Sequence, residues 1–234
     1  PKNDEFFGEY VSSSNDNLKY ISNFSGSSGF AILLKNNNYI FVDGRYTIQA
    51  NIESGRDYKI CNIPNEYPFK IFAKKKLIIG FDPSLHTENS LKRLFFNSQI
   101  KLMPIEENLI NKIWRKKKYL KNVPFYELKK KDAGESSSKK ILKLKKIIRS
   151  NKVEYSLITA SENVAWLLNI RGSDTNYSPL PHSHVLFASN GKIKLFCNLK
   201  QLTKSLKLSL EKKIKIYDFN SLPSTLLQVF NKKI

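Results

Sequence analysis

The chain has little cysteine: Cys61 and Cys197 are the two present, far apart and in no C-x-x-C pattern. That spacing argues against a zinc knuckle or a disulfide-stapled scaffold and fits a reducing compartment. Long apolar runs are missing too. The longest are a handful of residues, against the roughly 20 that a membrane-spanning helix needs. The opening PKNDEFFGEYV has no charged-then-apolar leader. The expectation is a soluble, cytoplasmic chain with no membrane partner. Histidine is scarce, with His86, His182 and His184 the three present, and so is negative charge. Forty Lys and Arg stand against 20 Asp and Glu, a formal charge of +20 at pH 7.

What is present is enough to fold. The 234 residues are 41% hydrophobic and 12% aromatic, sufficient for real cores in one large domain or two ordinary ones. The positive charge is mostly Lys in a chain also rich in Asn and Ile, the mixture that codon bias in an AT-rich genome produces. Charge alone therefore does not imply a partner. It does cluster: Asn111 to Lys152 holds sixteen Lys and Arg against three Asp and Glu. No RNA-recognition signature, zinc finger or basic zipper accompanies the cluster. It reads as a solvated face, with nucleic-acid binding at most nonspecific and salt-sensitive.

Along the chain, Asn15 or Asp16 can cap a short helix through Ile21. FAILL (30–34) and YIFV (39–42) are strand-length apolar runs joined by a polar turn, with too little alternation for a one-sided sheet. Asp43 stands at an N-cap position before GRYTIQANIES, where Tyr46/Ala50 and Ile48/Ile52 are i,i+4 pairs. A strand at 76–82, a helix at about 87–96 and a short strand KLMPI follow. Pro124 and GESSS (134–138) mark residues 109–138 as a basic linker between a first domain, 1–108, and a second, 139–234. SKKILKLKKIIRSNK then predicts an amphipathic helix with Ile141, Leu144 and Ile148 on its packing stripe. The second half repeats the first. NLKYISNFSGS (17–27) aligns with NVAWLLNIRGS (163–173), matching Asn17 to Asn163, Tyr20 to Trp166, Asn23 to Asn169, Gly26 to Gly172 and Ser27 to Ser173. A strand–turn–strand unit follows each copy; in the second, HVLFASNGKIKLFCN, Asn190-Gly191 suits a tight hairpin. Two related α/β domains are expected.

Chemistry is harder to find. SGSSGF lacks the Lys of a phosphate loop and the glycine spacing of a dinucleotide fingerprint, and it precedes its strand. It also lacks the G-x-S-x-G spacing of a serine hydrolase. His182 and His184 would share one face of a strand, but no further acidic or histidine cluster completes a metal site, and two polar residues at a strand start is the better reading. Asp174 reads as a local cap or salt bridge to Arg171. Arg45 lies in a first helical turn, where a cation opposes the dipole, so a specific acidic partner is expected. The residues themselves point to no active site in this chain.

The string DEFFGEYVSSSNDNLKYISNFSGSSGFAILLKNNNYIFVDGRYTIQA (4–50) resembles the opening of Xaa-Pro aminopeptidase (aminopeptidase P), in the creatinase/prolidase superfamily. The carriers are Gly8-Glu9-Tyr10-Val11, Phe24 to Gly29, and Asp43-Gly44-Arg45-Tyr46 through Gln49-Ala50. IGFDPSLHT, NLINKIW, AGESSSKKI and NVAWLLNIRGSDTNYSPLPHSHVLF are similar to successive landmarks of that family. The resemblance implies an α/β fold of two similar domains, creatinase N-terminal and ribonuclease H-like, each a mixed, roughly six-stranded sheet flanked by helices. Domain II would be truncated and the C-terminal pita-bread catalytic domain, with its two manganese ions, absent. It implies no metal ligand or catalytic residue here, and a role as scaffold, substrate-cleft wall and oligomerisation surface. The partners implied are the catalytic domain, a second copy in a dimer, and proline-containing peptides. Arg45, Arg171, Gly172, Ser173, Asp174, His182 and His184 are the candidates for facing the catalytic domain or the cleft, Gly172 by permitting an unusual backbone. The alternatives are a stand-alone interaction module of the same fold and a basic nucleic-acid-associated protein.

Overall fold

Asp16 begins the first ordered element, its carboxylate accepting a hydrogen bond from the Lys19 N–H and capping α1 (Asn17–Ser22). The computed structural model describes residues 1–114 and 122–229, and the chain divides into two compact units, Pro1–Tyr119 and Leu120–Ile234. In the first, α1 ends at Asn23 in the left-handed region, φ 62°. The chain then enters β1 (Phe30–Leu33), antiparallel to β2 (Asn38–Asp43), with Phe30 opposite Phe41 and Leu33 opposite Asn38. A 3-10 turn, Gly44–Tyr46, leads into α2 (Thr47–Ser54), which crosses to β3 (Lys59–Ile63), parallel to β2. After α3 (Pro68–Ile71), the parallel pair β4 (Ile78–Phe81) and β5 (Lys101–Pro104) flanks α4 (Glu88–Leu94), and α5 (Leu109–Ile113) follows.

The period-two alternation of β2 puts one apolar layer on each face. Ile40 and Val42 pack with Leu18, Phe24 and Ala50, while Tyr39 and Phe41 pack with Ile32, Cys61 and Phe72. Among the described residues the strands form a three-stranded sheet, β1-β2-β3, and a separate β4-β5 pair, where a single sheet of about six was expected. β1 and β4 both line an apolar cavity of about 480 Å³, and no ladder joins them. Pro83 and Pro104, which donate no backbone N–H, close β4 and β5 after four residues each. The Ile48/Ile52 pair on α2 faces solvent, 78% and 80% exposed, because Ala50 and Ser54 form the buried side of that helix.

The second unit starts with β6 (Tyr126–Glu127), α6 (Lys130–Ala133) and α7 (Ser137–Ser150). β6, α6 and the start of α7 lie within the stretch read as linker; its residues 115–121 lie outside the described residues. β7 (Tyr155–Ile158), α8 (Ser161–Leu168) and β8 (Ile170–Arg171), which pairs with β6, lead to the hairpin β9 (Ser183–Ala188) and β10 (Ile193–Cys197). A 3-10 turn, Leu199–Gln201, α9 (Lys204–Glu211), β11 (Lys215–Asp218) and α10 (Leu222–Leu227) complete the unit. The sheet order is β11-β10-β9-β7, with β11 parallel to β10 and the other neighbours antiparallel. Ile148, Val164, Leu168, Val185, Phe187 and Leu195 fill one face, and Leu186, Phe196 and Val229 the other. Gly191 takes a positive φ of 92° in the β9–β10 turn, as the Asn190-Gly191 pair requires.

The duplication holds in three dimensions. Helix, hairpin, 3-10 turn, helix and parallel strand recur in order, and Asn23 and Asn169 both end their helices in the left-handed region, φ 62° and 54°. Asp43 and Asn198 both cap the 3-10 turn, accepting from the N–H two residues on.

Candidate functional site

The loop after β8 gathers most of the candidates, and it does so by internal bonding. The Arg171 Nη1 donates to the carbonyls of Ala165 and Ile170, both 2.9 Å away, so the guanidinium closes the C-terminal turn of α8. Asp174 does not pair with it. One Asp174 oxygen accepts from Gln201 Nε2 at 2.5 Å and the other from the His182 backbone N–H at 2.7 Å. Of the two readings of Asp174, a bridge to Arg171 or a local cap, the bridge does not form: its carboxylate accepts from a backbone N–H and a buried amide. Gln201 is buried and also donates to the Val123 carbonyl.

Gly172 is needed for space. Its φ is not positive, and a Cβ there would lie 2.7 Å from Pro181 Cα and 3.0 Å from the Phe125 ring. Ser173 is exposed beside it. His182 and His184 diverge. The His182 Nε2 lies 3.4 Å from Thr175 Oγ1, whereas His184 Nδ1 meets the Thr159 carbonyl at 3.0 Å and its ring stands edge-on to Phe219. Burial holds the His184 imidazole below its ordinary value, with the Thr159 carbonyl opposing. Among the described residues no group of three or more His, Cys, Asp or Glu could hold a metal ion. Burial pushes the Cys197 thiol up to about 12 and the Cys61 thiol up to about 11, away from the thiolate a nucleophile requires.

Arg45, in the first unit, has the acidic partner its position called for: Asp43, two residues back. Nη2 and Nε donate to the two Asp43 oxygens at 2.7 and 3.0 Å, and the guanidinium lies over Tyr46. The hydrogen bonds from Arg45 hold the Asp43 carboxyl below its usual value. The pair is exposed. Next to it, Ser27 Oγ and Tyr46 Oη are 2.5 Å apart, so Tyr46, which matches Gln201 in the repeat, bonds one position earlier in its loop than Gln201 does.

Two residues escaped sequence reasoning. Gln201 could have been found from the repeat, since it stands three residues after Asn198 as Tyr46 stands three after Asp43. Lys140 could not: it lies in a Lys-rich run, yet it is buried, donating to Trp166 O at 2.9 Å and Asn169 Oδ1 at 2.6 Å above the Trp166 ring. The loop presents Tyr177 outward, 91% exposed and at φ 62°, and Trp166 on the preceding α8 is 54% exposed. The arrangement is held by bonds from Arg171 and Asp174 to its own unit, and its described residues form no nucleophile–base pair.

Both halves of the chain match one family description, Creatinase/Prolidase N-terminal domain, at residues 8–113 and 116–233. The chain is 28% identical over 232 residues to a probable Xaa-Pro aminopeptidase P of Coprinopsis cinerea, covering 95% of this chain and 37% of that protein. It is 30% identical over 220 residues to aminopeptidase P1 of Lotus japonicus, covering 90% and 33%. An X-prolyl aminopeptidase from Caenorhabditis elegans, described as a cytosolic enzyme with a di-nuclear active site, superposes with a TM-score of 0.89 at 26% identity, over 99% of this chain and 40% of that one. The chain therefore spans a little over a third of the length of these relatives.

Proposed function

The chain belongs to the creatinase/prolidase N-terminal domain family, in two successive copies, and from that premise we propose that it serves as the non-catalytic part of a Xaa-Pro aminopeptidase. In this reading the intact enzyme removes the residue before an N-terminal proline. This region walls the substrate cleft, scaffolds the catalytic domain and contributes to a dimer. In this reading a pair of manganese ions is held by the catalytic domain. Alone, the chain is inert. No helix of the described residues is long and apolar enough to cross a membrane, and the proposal places the enzyme in the cytoplasm.

The observation that carries the reading is the extent of the likeness: both domains, in order, with nearly the whole chain matched to the N-terminal part of the relatives. The loop 171–182 supports a cleft-facing role, because Arg171 and Asp174 bond inward while Tyr177 stands exposed on it. The test is an incubation of the chain with a Xaa-Pro peptide and Mn²⁺. Turnover no greater than with metal alone is expected, and turnover above that blank would remove the scaffold reading. An immunoblot of the source cells against this chain should show a band more than twice its 27.1 kDa mass. A band at 27 kDa would favour a stand-alone interaction module.

A further inference from the structure

The positive charge of the second unit is organised on one helix face. On α7, the core-facing stripe of Ile141, Leu144 and Ile148 is packed into the unit. The opposite side carries Lys139, Lys143, Lys146 and Arg149, all exposed and spaced i, i+4, i+7, i+10. Neighbouring cations at i,i+3 and i,i+4 repel and destabilise a helix, so four in a row with a single matching acid is an under-compensated arrangement. Lys143 pairs with Glu135 at 2.8 Å. Among the described residues the other three have no acid within ion-pair distance.

The surroundings extend the strip. At its N-terminal end Lys213 Nζ donates to Ser137 Oγ at 3.3 Å. At the other end Arg149 Nε donates to the Ser189 carbonyl at 2.8 Å, tying α7 to the β9–β10 turn where Lys192 is exposed. The result is a row of four cations along a helix about 20 Å long, with Lys213 beside its start and Lys192 in the turn tied to its end.

We propose that this strip binds the phosphate backbone of a nucleic acid, without reading its sequence. Cations about 5 Å apart along a rigid axis suit a regularly spaced polyanion. An anionic membrane fits less well, because an interfacial helix needs a broad free apolar face, and the Ile141, Leu144 and Ile148 stripe of α7 is packed into the core, leaving Leu142 and Ile147 exposed apart from it. The site is separate from the loop 171–182 and does not depend on the aminopeptidase reading.

The test is a fluorescence-anisotropy titration of the whole chain with a 20-nucleotide single strand and with its duplex, across a salt series. The two probes distinguish the sources of the shared phosphate chemistry. Six phosphate contacts predict a slope of log affinity against log salt of about −4 for the single strand and about −5 for the duplex. Replacing Lys139, Lys143, Lys146 and Arg149 by Gln should flatten the slope by about 3 and weaken binding more than tenfold at low salt. Replacing Lys74, Lys75 and Lys76 by Gln, in the first unit, should leave the slope within about 0.5. The proposal is overturned if the control triple weakens binding as much as the α7 set, or if the unaltered chain shows a slope shallower than about −1. It is also overturned if the chain binds phosphatidylserine vesicles but neither oligonucleotide. The wild-type slope needs no variant, so a misfolded variant does not rescue the idea.

Discussion

The same hairpin is built twice in this molecule and finished differently. The Asp43 and Asn198 caps bring β1–β2 into correspondence with β9–β10, so that Phe30 matches His184, Ile32 matches Leu186 and Leu33 matches Phe187. In the second unit β7 pairs with the outer edge of β9, and all six residues of β9 are buried. In the first, no strand among the described residues pairs with that edge of β1, and a cavity of about 480 Å³ lies against it. Leu33 is 53% exposed where Phe187 is 0% exposed. One local pattern can thus support a closed core or an open edge, depending on what flanks it. An unpaired edge is normally a liability, and β1 keeps its own short, at four residues.

The sharpest way to break the comparison is to truncate the matched pair. Phe187→Ala should cost about 3–5 kcal/mol in urea unfolding, whereas Leu33→Ala should cost less than about 1 kcal/mol. Equal losses would mean that the two edges are equally closed. Next in size are the matched glycines. Gly172→Ala forces a methyl against Pro181 and Phe125, and Gly26→Ala drives one to 2.2 Å from the buried Phe24 ring. Each should cost about 2–3 kcal/mol by the same measurement, showing that the units share this device. The tethers should separate again. Asp174→Ala leaves buried Gln201 short of an acceptor and should cost about 2 kcal/mol, while Ser27→Ala, at an exposed hydroxyl, should cost about 0.5 kcal/mol.

The last contrast is a pH dependence. Burial pushes His86 in the first unit down to about 4 and holds His184 in the second below its ordinary 6.5. In both, the unfolded chain takes up a proton that the folded one resists. Their stabilising contribution is therefore intact above pH 6.5 and falls as the pH drops below it, continuing to about 4 for His86. The depressed carboxyls of Asp43 and Glu53 lose theirs only at lower pH. Chemical denaturation between pH 7 and 4.5 should show a decline that His86→Gln reduces more than His184→Gln does.

Legibility varied with the range of the interactions. The α1, α4 and α7 helices, the two hairpins and the Asp43 cap were readable, since capping side chains and apolar spacing act within a few residues. β3, KICNI, was not readable, because its place is set by a parallel ladder to β2 across an intervening helix. β7 and β11 went unread for the same reason, their partners lying about 20 to 30 residues away. At the site, the residue types in 171–184 were visible but their pairing was not. Arg171 and Asp174 are three apart in sequence and bond to α8 and to Gln201 instead of to each other.

The sequence by itself determined the duplication, the α/β class and the family, because repeated turns, caps and glycines are local and survive as strings. The tertiary structure alone decided which edges are closed, which lysine is buried and which polar groups remain for a partner. Those outcomes depend on packing between segments far apart in the chain, where burial changes the cost of leaving a hydrogen bond unmade.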